Sequence, residues 1–325
     1  MADLPILRTS ERGIFKRCVF RWWLEFRMGY RPRTVQADAL WFGFGVHEAL
    51  AQWYDKGSKR GIHPADFFNS WAGVEIAFAK TYLDDTFDEP VWVDARELGI
   101  DMLEEYVEYY GDDPQWDVIA TEQQFKVRIL DRGEPVAYFA SRWDGVVRSN
   151  EDGLVYLLEH KTASQIITAY LELDDQGGSY WAVASQLLRN AGIIGPKEHI
   201  AGIIYNFLRK SLHDERPVNE EGLRLNKDNS VSKRQPPQPF VRVMVERSPL
   251  EQAHQLQRIA DEVAVMNAVR DGTIPITKTP TRDCPRCPFW IPCNLHERGN
   301  PHSYQTVLKS NFKQEDPYKD MRKSA

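Results

Sequence analysis

Along the first third of the chain, apolar residues recur every three to four positions, the period of a helix with one buried face. This predicts a helix over residues 10–30, where Phe15-Lys16-Arg17-Cys18-Val19-Phe20-Arg21-Trp22-Trp23-Leu24 interleaves aromatic and basic side chains. A second helix is predicted over Gln36–Tyr54, with Leu40, Phe44, His47, Leu50 and Ala51 at helical spacing. Two more follow over Ala65–Leu83 and Val93–Tyr110. After Pro114 the period shortens to two, the repeat of a strand. Val118–Leu130 and Val136–Val147 alternate in this way around the turn Asp131-Arg132-Gly133-Glu134. After a second turn, Asn150-Glu151-Asp152-Gly153, comes Leu154–Lys161. That segment is almost continuously apolar, so it is expected at the centre of a sheet. The three strands form an antiparallel meander. A helix over Gly178–Ala191, a buried strand over His199–Leu208, a short strand over Phe240–Val245 and an amphipathic helix over Pro249–Arg270 complete the pattern. Residues 209–238 are polar, end in Gln235-Pro236-Pro237-Gln238-Pro239, and read as a long mobile loop. The charged segment from Asn300 onward is expected to be loosely ordered.

A chain of 325 residues with 42% hydrophobic and 27% charged residues is ordinary for a globular protein. No apolar run approaches the roughly 20 residues that span a bilayer, and the first residues lack the apolar stretch of a secretion signal. A cytoplasmic location and no membrane partner are therefore expected. The net charge of −6 does not advertise nucleic-acid binding. It does not oppose it either, because phosphate contacts need a local basic patch.

Two clusters carry the candidate chemistry. Cys284, Cys287 and Cys293 form a C-x2-C-x5-C group, and Cys18 stands alone far upstream. In a cytoplasm thiols stay reduced, so metal ligation is a better reading than disulfides. A four-cysteine zinc site is one form of it. The second cluster lies in Leu157-Leu158-Glu159-His160-Lys161-Thr162. On a strand Glu159 and Lys161 share a face and His160 points away. Asp144, near the end of the preceding strand, is expected beside Glu159. Two adjacent carboxylates repel unless a cation bridges them, and oxygen ligands suit Mg²⁺ or Mn²⁺. His47 would add an imidazole and tilt the preference toward Mn²⁺. Gln176 and Tyr180 would share a helical face beside Lys161, although Gly177-Gly178 weakens the helix there. Each group has a plainer reading: a surface ion pair for Glu159 and Lys161, a packed histidine for His47, a helix-start pair for Gln176 and Tyr180. Glu48 reads as solvated.

An acidic residue ending one strand, Glu-x-Lys-Thr on the next and Gln-x3-Tyr on the following helix together resemble the PD-(D/E)XK superfamily. With the upstream helical His47 and the cysteine frame, the stretch from Phe15 to Leu295 is similar to RecB-like exonucleases with an iron–sulfur staple. These include AddB-type nucleases and the CRISPR-associated single-strand exonucleases. The resemblance implies an α/β, restriction-endonuclease-like fold with a mixed central sheet. It divides the chain into a helical part (1–115), a nuclease core (116–275), an iron–sulfur segment (276–300) and a charged tail (301–325) of one integrated domain. It implies that His47, Asp144 and Glu159 bind Mg²⁺ or Mn²⁺ with the backbone carbonyl of His160. Lys161 would position water, Gln176 and Tyr180 would support it, and Cys18, Cys284, Cys287 and Cys293 would hold a 4Fe–4S cluster. Two positions depart from the family pattern: Ser141 and Arg142 stand where a glycine is common, and Glu159 where many members carry aspartate. The activity implied is exonucleolytic hydrolysis of single-stranded DNA. A structure-specific endonuclease and a non-catalytic DNA-binding or assembly subunit are the alternatives. A helicase, or a recombination or CRISPR-adaptation protein, is the candidate partner, and self-association is a candidate state. The basic stretch at 209–234 reads as a solvated loop or a flap over DNA. Arg17, Arg21, Trp22 and Trp23 read as DNA contacts or as core around the cluster.

Overall fold

The computed structural model describes residues 4–34, 36–55, 57, 59–83 and 87–322. A short strand, β1 (Ile6–Leu7), leads into helix α1 (Thr9–Arg17). The single helix expected over residues 10–30 is broken at Cys18, whose backbone is extended. Helix α2 (Val19–Trp22), a π-helical turn (Trp23–Arg27) and strand β2 (Tyr30–Pro32) follow. The break is satisfied from outside, because the amide of Phe20 donates to the carbonyl of Thr277 at 2.9 Å. Periodicity within one segment carries no trace of such a distant acceptor.

Helix α3 (Ala39–Trp53) starts at Asp38, whose carboxylate accepts from the amides of Leu40 and Trp41. Its buried face is Trp41, Phe42, Val46, Ala49, Leu50 and Trp53. Leu40 and Phe44, expected on the core stripe, are instead 80% and 50% exposed. The helix is apolar nearly all round, so spacing alone does not select a face. Helices α4 (Pro64–Leu83) and α5 (Glu89–Tyr110) pack against α3.

The meander is present. Strands β3 (Trp116–Asp131) and β4 (Glu134–Ser149) pair antiparallel along their length. Their turn residues Arg132 and Gly133 have φ of 48° and 89°, the type I′ form that suits the strand twist. Strand β5 (Val155–Ala163) runs antiparallel to β4 over four pairs only, from Arg148↔Val155 to Gly145↔Leu158. After a 3-10 turn (Leu171–Leu173) comes helix α6 (Asp175–Asn190). It begins three residues before the expected Gly178 and runs through both glycines. A Cβ on Gly177 would clash with the Tyr205 hydroxyl, so glycine here permits close packing rather than breaking the helix. Strand β6 (Ile200–Arg209) is parallel to β5, and β7 (Phe240–Glu246) is antiparallel to β6, which makes the sheet mixed.

Helix α7 (Pro249–Arg270), capped by Ser248 and Glu251, joins α6 on one sheet face over Leu157, Ile203 and Tyr205. Helices α3–α5 cover the other face over Val147, Tyr156, Leu158 and Ile204. The result is a sheet between two helical layers.

Residues 209–238 form the expected long loop, held by its own contacts: Leu225 and Asn226 donate to Pro217 and Ser230 at 2.8 Å, and Arg216 is paired with Asp214. One expectation fails at the periphery. The C-terminal segment is ordered as α8 (Trp290–Glu297), α9 (Pro301–Asn311), β8 (Phe312–Gln314) and α10 (Lys319–Arg322). Strand β8 pairs with β2, and Leu308 and Phe312 are buried against Phe20, Leu24 and Phe289. Leu308, Phe312 and Met321 anchor this charged segment, with Tyr318 packed against Phe26; residues 323–325 lie outside the described residues. No helix among the described residues is long and apolar enough to cross a membrane.

Candidate active site

The ladder between β4 and β5 ends at Gly145↔Leu158. One residue beyond, where the strands part, stand Asp144 and Glu159. The fork frees the amide of His160 from β4, and Asp144 Oδ2 accepts it at 2.7 Å. Asp144 Oδ1 lies 3.0 Å from His47 Nδ1, which α3 brings over the sheet. Glu159 is 2% exposed. Its Oε1 accepts from Lys161 Nζ at 2.7 Å and from Gln176 Nε2 at 2.9 Å, and Gln176 Oε1 accepts from Lys161 at 2.8 Å. The three side chains thus close a ring of hydrogen bonds. Gln176 Nε2 is 3.4 Å from the Tyr180 hydroxyl, to which Ser141 Oγ donates at 3.0 Å. The structure thus gathers Glu159, Lys161, Gln176 and Tyr180 in one hydrogen-bonded set and His47 with Asp144 in a second, joined through the His160 amide.

His160 points the other way, as strand alternation requires. Its ring stacks on Tyr54 and its Nδ1 accepts from Asn206 Nδ2 at 2.9 Å. Asn206 Nδ2 also donates to the Tyr106 hydroxyl, and Arg242 donates to Asn206 Oδ1, Tyr106 and Asp113. This buried network braces the back of β5.

Sequence reading missed Glu122. Its neighbours pair as Thr121↔Gly145 and Gln123↔Trp143, so it stands across from Asp144. Its φ is +46°, rare for a residue with a side chain. Ligand atoms of His47, Glu122 and Asp144 all lie within 4.8 Å of one another. The available signal was strand phase: Trp116, Val118 and Ala120 are buried, and Glu122 continues that alternation as an acid. Glu48 is not merely solvated: Arg142 reaches between Glu48 (3.2 Å) and Glu122 (2.5 Å), because α3 crosses directly above β4.

Burial disfavours charge throughout the fork, and the charges answer one another. Burial opposes a charged His47, yet Asp144, then Glu159 and Glu122, hold its pKa up at about 9. Burial pushes Glu159 up to about 7, with Lys161 opposing and Asp144 reinforcing. Burial and Asp144 push Glu122 up to about 8. Against its burial, Asp144 is held below the usual carboxylate range by His47. Lys161, also against its burial, is held charged by Glu159. Burial depresses His160 to about 3. Glu159 Oε2 is buried without a hydrogen-bond partner, whereas Glu122 Oε2 is ion-paired with Arg142. An imidazole, several carboxylates and an unsatisfied carboxylate oxygen fit a hard divalent cation.

The four cysteines line one cavity of about 330 Å³, with Phe20 and Phe289 among its walls and Arg17, Arg21 and Lys278 at its rim. Burial raises the thiols of Cys287 and Cys293, and each feels Cys18 and Cys284. Among the described residues, no three of these sulfurs come within 4.8 Å of one another.

The profile of the PD-(D/E)XK nuclease superfamily matches residues 10–294. No curated protein sequence matches. Among solved structures, one described as "Putative exonuclease" from Eubacterium rectale aligns at 11% identity over 78% of this chain and 93% of that one, with a TM-score of 0.33. That likeness is too slight to argue from.

Proposed function

The chain belongs to the PD-(D/E)XK nuclease superfamily, and we propose that within it the protein is a divalent-metal-dependent exonuclease on single-stranded DNA. The observation that carries the reading is the closed ring of Glu159, Lys161 and Gln176 beside Asp144, with Glu159 Oε2 left unsatisfied. His47, Asp144 and Glu159 would hold Mg²⁺ or Mn²⁺, with Glu122 and the His160 carbonyl as further donors. Such an ion supplies Lewis acidity at the scissile phosphate. Glu159 and Gln176 accept two of the three protons of the Lys161 ammonium. The third is left to orient water or meet charge developing on a phosphate oxygen. Gln176 is fixed in turn by Tyr180, and Tyr180 by Ser141.

The four thiols are assigned to a 4Fe–4S cluster in the same reading. A single zinc at about 2.3 Å from each sulfur would draw the sulfurs to roughly 3.8 Å apart. What supports the reading is that all four thiols line one cavity of about 330 Å³. In a cytoplasm such thiols remain available as ligands.

The test is digestion of end-labelled linear, circular single-stranded and duplex DNA with Mn²⁺, alongside iron and sulfide analysis of anaerobically purified protein. The reading expects linear single strands to be degraded and circles to survive. Cutting of circles would replace exonuclease by endonuclease. Cutting of all three by the Glu159→Gln variant at the wild-type rate would remove this site altogether. One tightly bound zinc in place of iron would overturn the cluster.

A further inference from the structure

Beyond the metal ligands, α3 carries an apolar stripe that the core does not use. Leu40 and Phe44 are 80% and 50% exposed. They lie at i and i+4 of a stripe that continues to His47 and Glu48, so they share a helix face with the metal-site histidine. Phe44 lines a cleft of about 710 Å³ together with Ser141, Arg142, Gln176 and Tyr180. The Phe44 ring is braced by Trp71, with centroids 6.1 Å apart, and its remaining surface is open. Phe44 stands about 4.5 Å along the helix axis from His47, three residues at ~1.5 Å each. That is close to the ~3.4 Å repeat of one stacked nucleotide.

The cations of this cleft are already committed. Lys16 is paired with Asp175 and Glu262, Arg142 with Glu48 and Glu122, and Arg8 donates to the Pro317 carbonyl at 2.9 Å. The unused recognition element is therefore the aromatic face and not the charge. An aromatic face can meet a base only where that base is unstacked, since in a duplex each base is covered by its neighbours. We infer that Phe44 is the stacking platform for a nucleobase of a single strand, within about one nucleotide of the scissile phosphate. This rests on the nuclease reading above and gives it a source of strand preference: the fork performs chemistry on any phosphodiester, and Phe44 selects strands with free bases.

The experiment measures binding of a labelled single-stranded oligonucleotide by anisotropy, with Ca²⁺ replacing Mg²⁺ to suppress cleavage. Phe44→Ala should weaken binding about tenfold, equivalent to ~1.4 kcal/mol and within the range for a stacked base. Phe44→Trp should bind at least as well as the wild type. The wild-type protein, with no substitution at all, should lose a similar factor when one abasic site is walked to the stacking position. The same abasic oligonucleotide should cost Phe44→Ala nothing further. Equal binding by Phe44→Ala and wild type, or an abasic walk with no sensitive position, overturns the stacking inference and leaves the nuclease reading standing. Failure of the wild type to bind any single strand, with duplex bound instead, overturns both.

Discussion

At the fork between β4 and β5, each candidate ligand is tethered by other protein groups. Asp144 is held by the His160 amide and His47, and Glu159 by Lys161 and Gln176. Around the cysteine cavity, among the described residues, Cys284 receives the backbone amide of Thr281 and Cys287 that of Phe289. The fork sits between two helical layers that pack independently of it. The cavity joins chain segments from opposite ends, Cys18 from one and Cys284, Cys287 and Cys293 from the other. A site tethered by its surroundings can lose a ligand and remain folded. A site whose occupant is itself the tether cannot. The two regions should therefore respond oppositely to substitution, one in rate and the other in stability.

The largest effect expected is on rate. Glu159→Gln keeps the volume and an acceptor for Lys161 but removes the charged ligand. DNA cleavage should fall on the order of 10³-fold, and thermal unfolding should stay close to wild type. Burial opposes the charge on Glu159, and relief of that penalty offsets what the buried Lys161 ammonium loses with its counter-charge. A steady-state assay paired with a melting curve decides this. A variant that loses activity only by unfolding would erase the contrast with the cysteine cavity.

Cys18→Ser should do the reverse. The 265 residues between Cys18 and Cys284 form the closed loop. Treated as a cross-link, joint ligation over that length stabilises by at most about 5–6 kcal/mol. If the proposed cluster is held there, the variant should lack the brown colour of an iron–sulfur protein, melt earlier, and retain a specific activity proportional to its folded fraction. Chelation of the wild type should reproduce the shift. An unchanged melting temperature in both experiments would show that nothing is ligated there.

Phe312→Ala sharpens the comparison by separating packing from ligation. Phe312 stacks on Phe289 at 4.9 Å and is buried with Phe20 and Leu308. Truncation of such a side chain costs about 3 kcal/mol. Its effect should be less than additive with Cys18→Ser, because both substitutions loosen the same junction. Strict additivity in chemical denaturation would mean that cavity and aromatic cluster act as separate units.

The contrast also marks what could be read in the sequence. The meander of β3, β4 and β5 was legible because period-two alternation and turn residues are local signals. The placement of Asp144, Glu159, Lys161, Gln176 and Tyr180 followed from that meander, since strand parity and helix spacing fix which side chains share a face. Glu122 escaped because its backbone turns to positive φ, a conformation that no residue type here announces. The face of α3 escaped because Leu40, Trp41, Phe42 and Phe44 are all apolar, and packing partners far away in sequence chose among them. The pairing of β8 with β2 escaped for the same reason: three residues of strand per side are too short to show a period, and their partners are 280 or more positions apart.

The smallest effect belongs to the brace behind the fork. Asn206 is fully buried and donates to His160 Nδ1, while its Oδ1 accepts from Arg242 at 3.2 Å. Asn206→Leu keeps most of the volume and removes these bonds. It leaves His160 Nδ1 without a donor and the Arg242 Nε–H without this acceptor. A buried polar group stripped of its partner costs about 1–3 kcal/mol, so the urea midpoint should fall by an amount equivalent to roughly 2 kcal/mol. The catalytic consequence should be indirect. The amide of His160 holds Asp144, so any tilt of β5 loosens one ligand without removing it. Turnover should fall by less than tenfold, far below the loss in Glu159→Gln, and added Mn²⁺ should recover part of it. A turnover loss as large as that of Glu159→Gln, with the fold intact, would place Asn206 within the chemistry instead of behind it. A loss of stability with turnover untouched would show that the brace serves the fold alone.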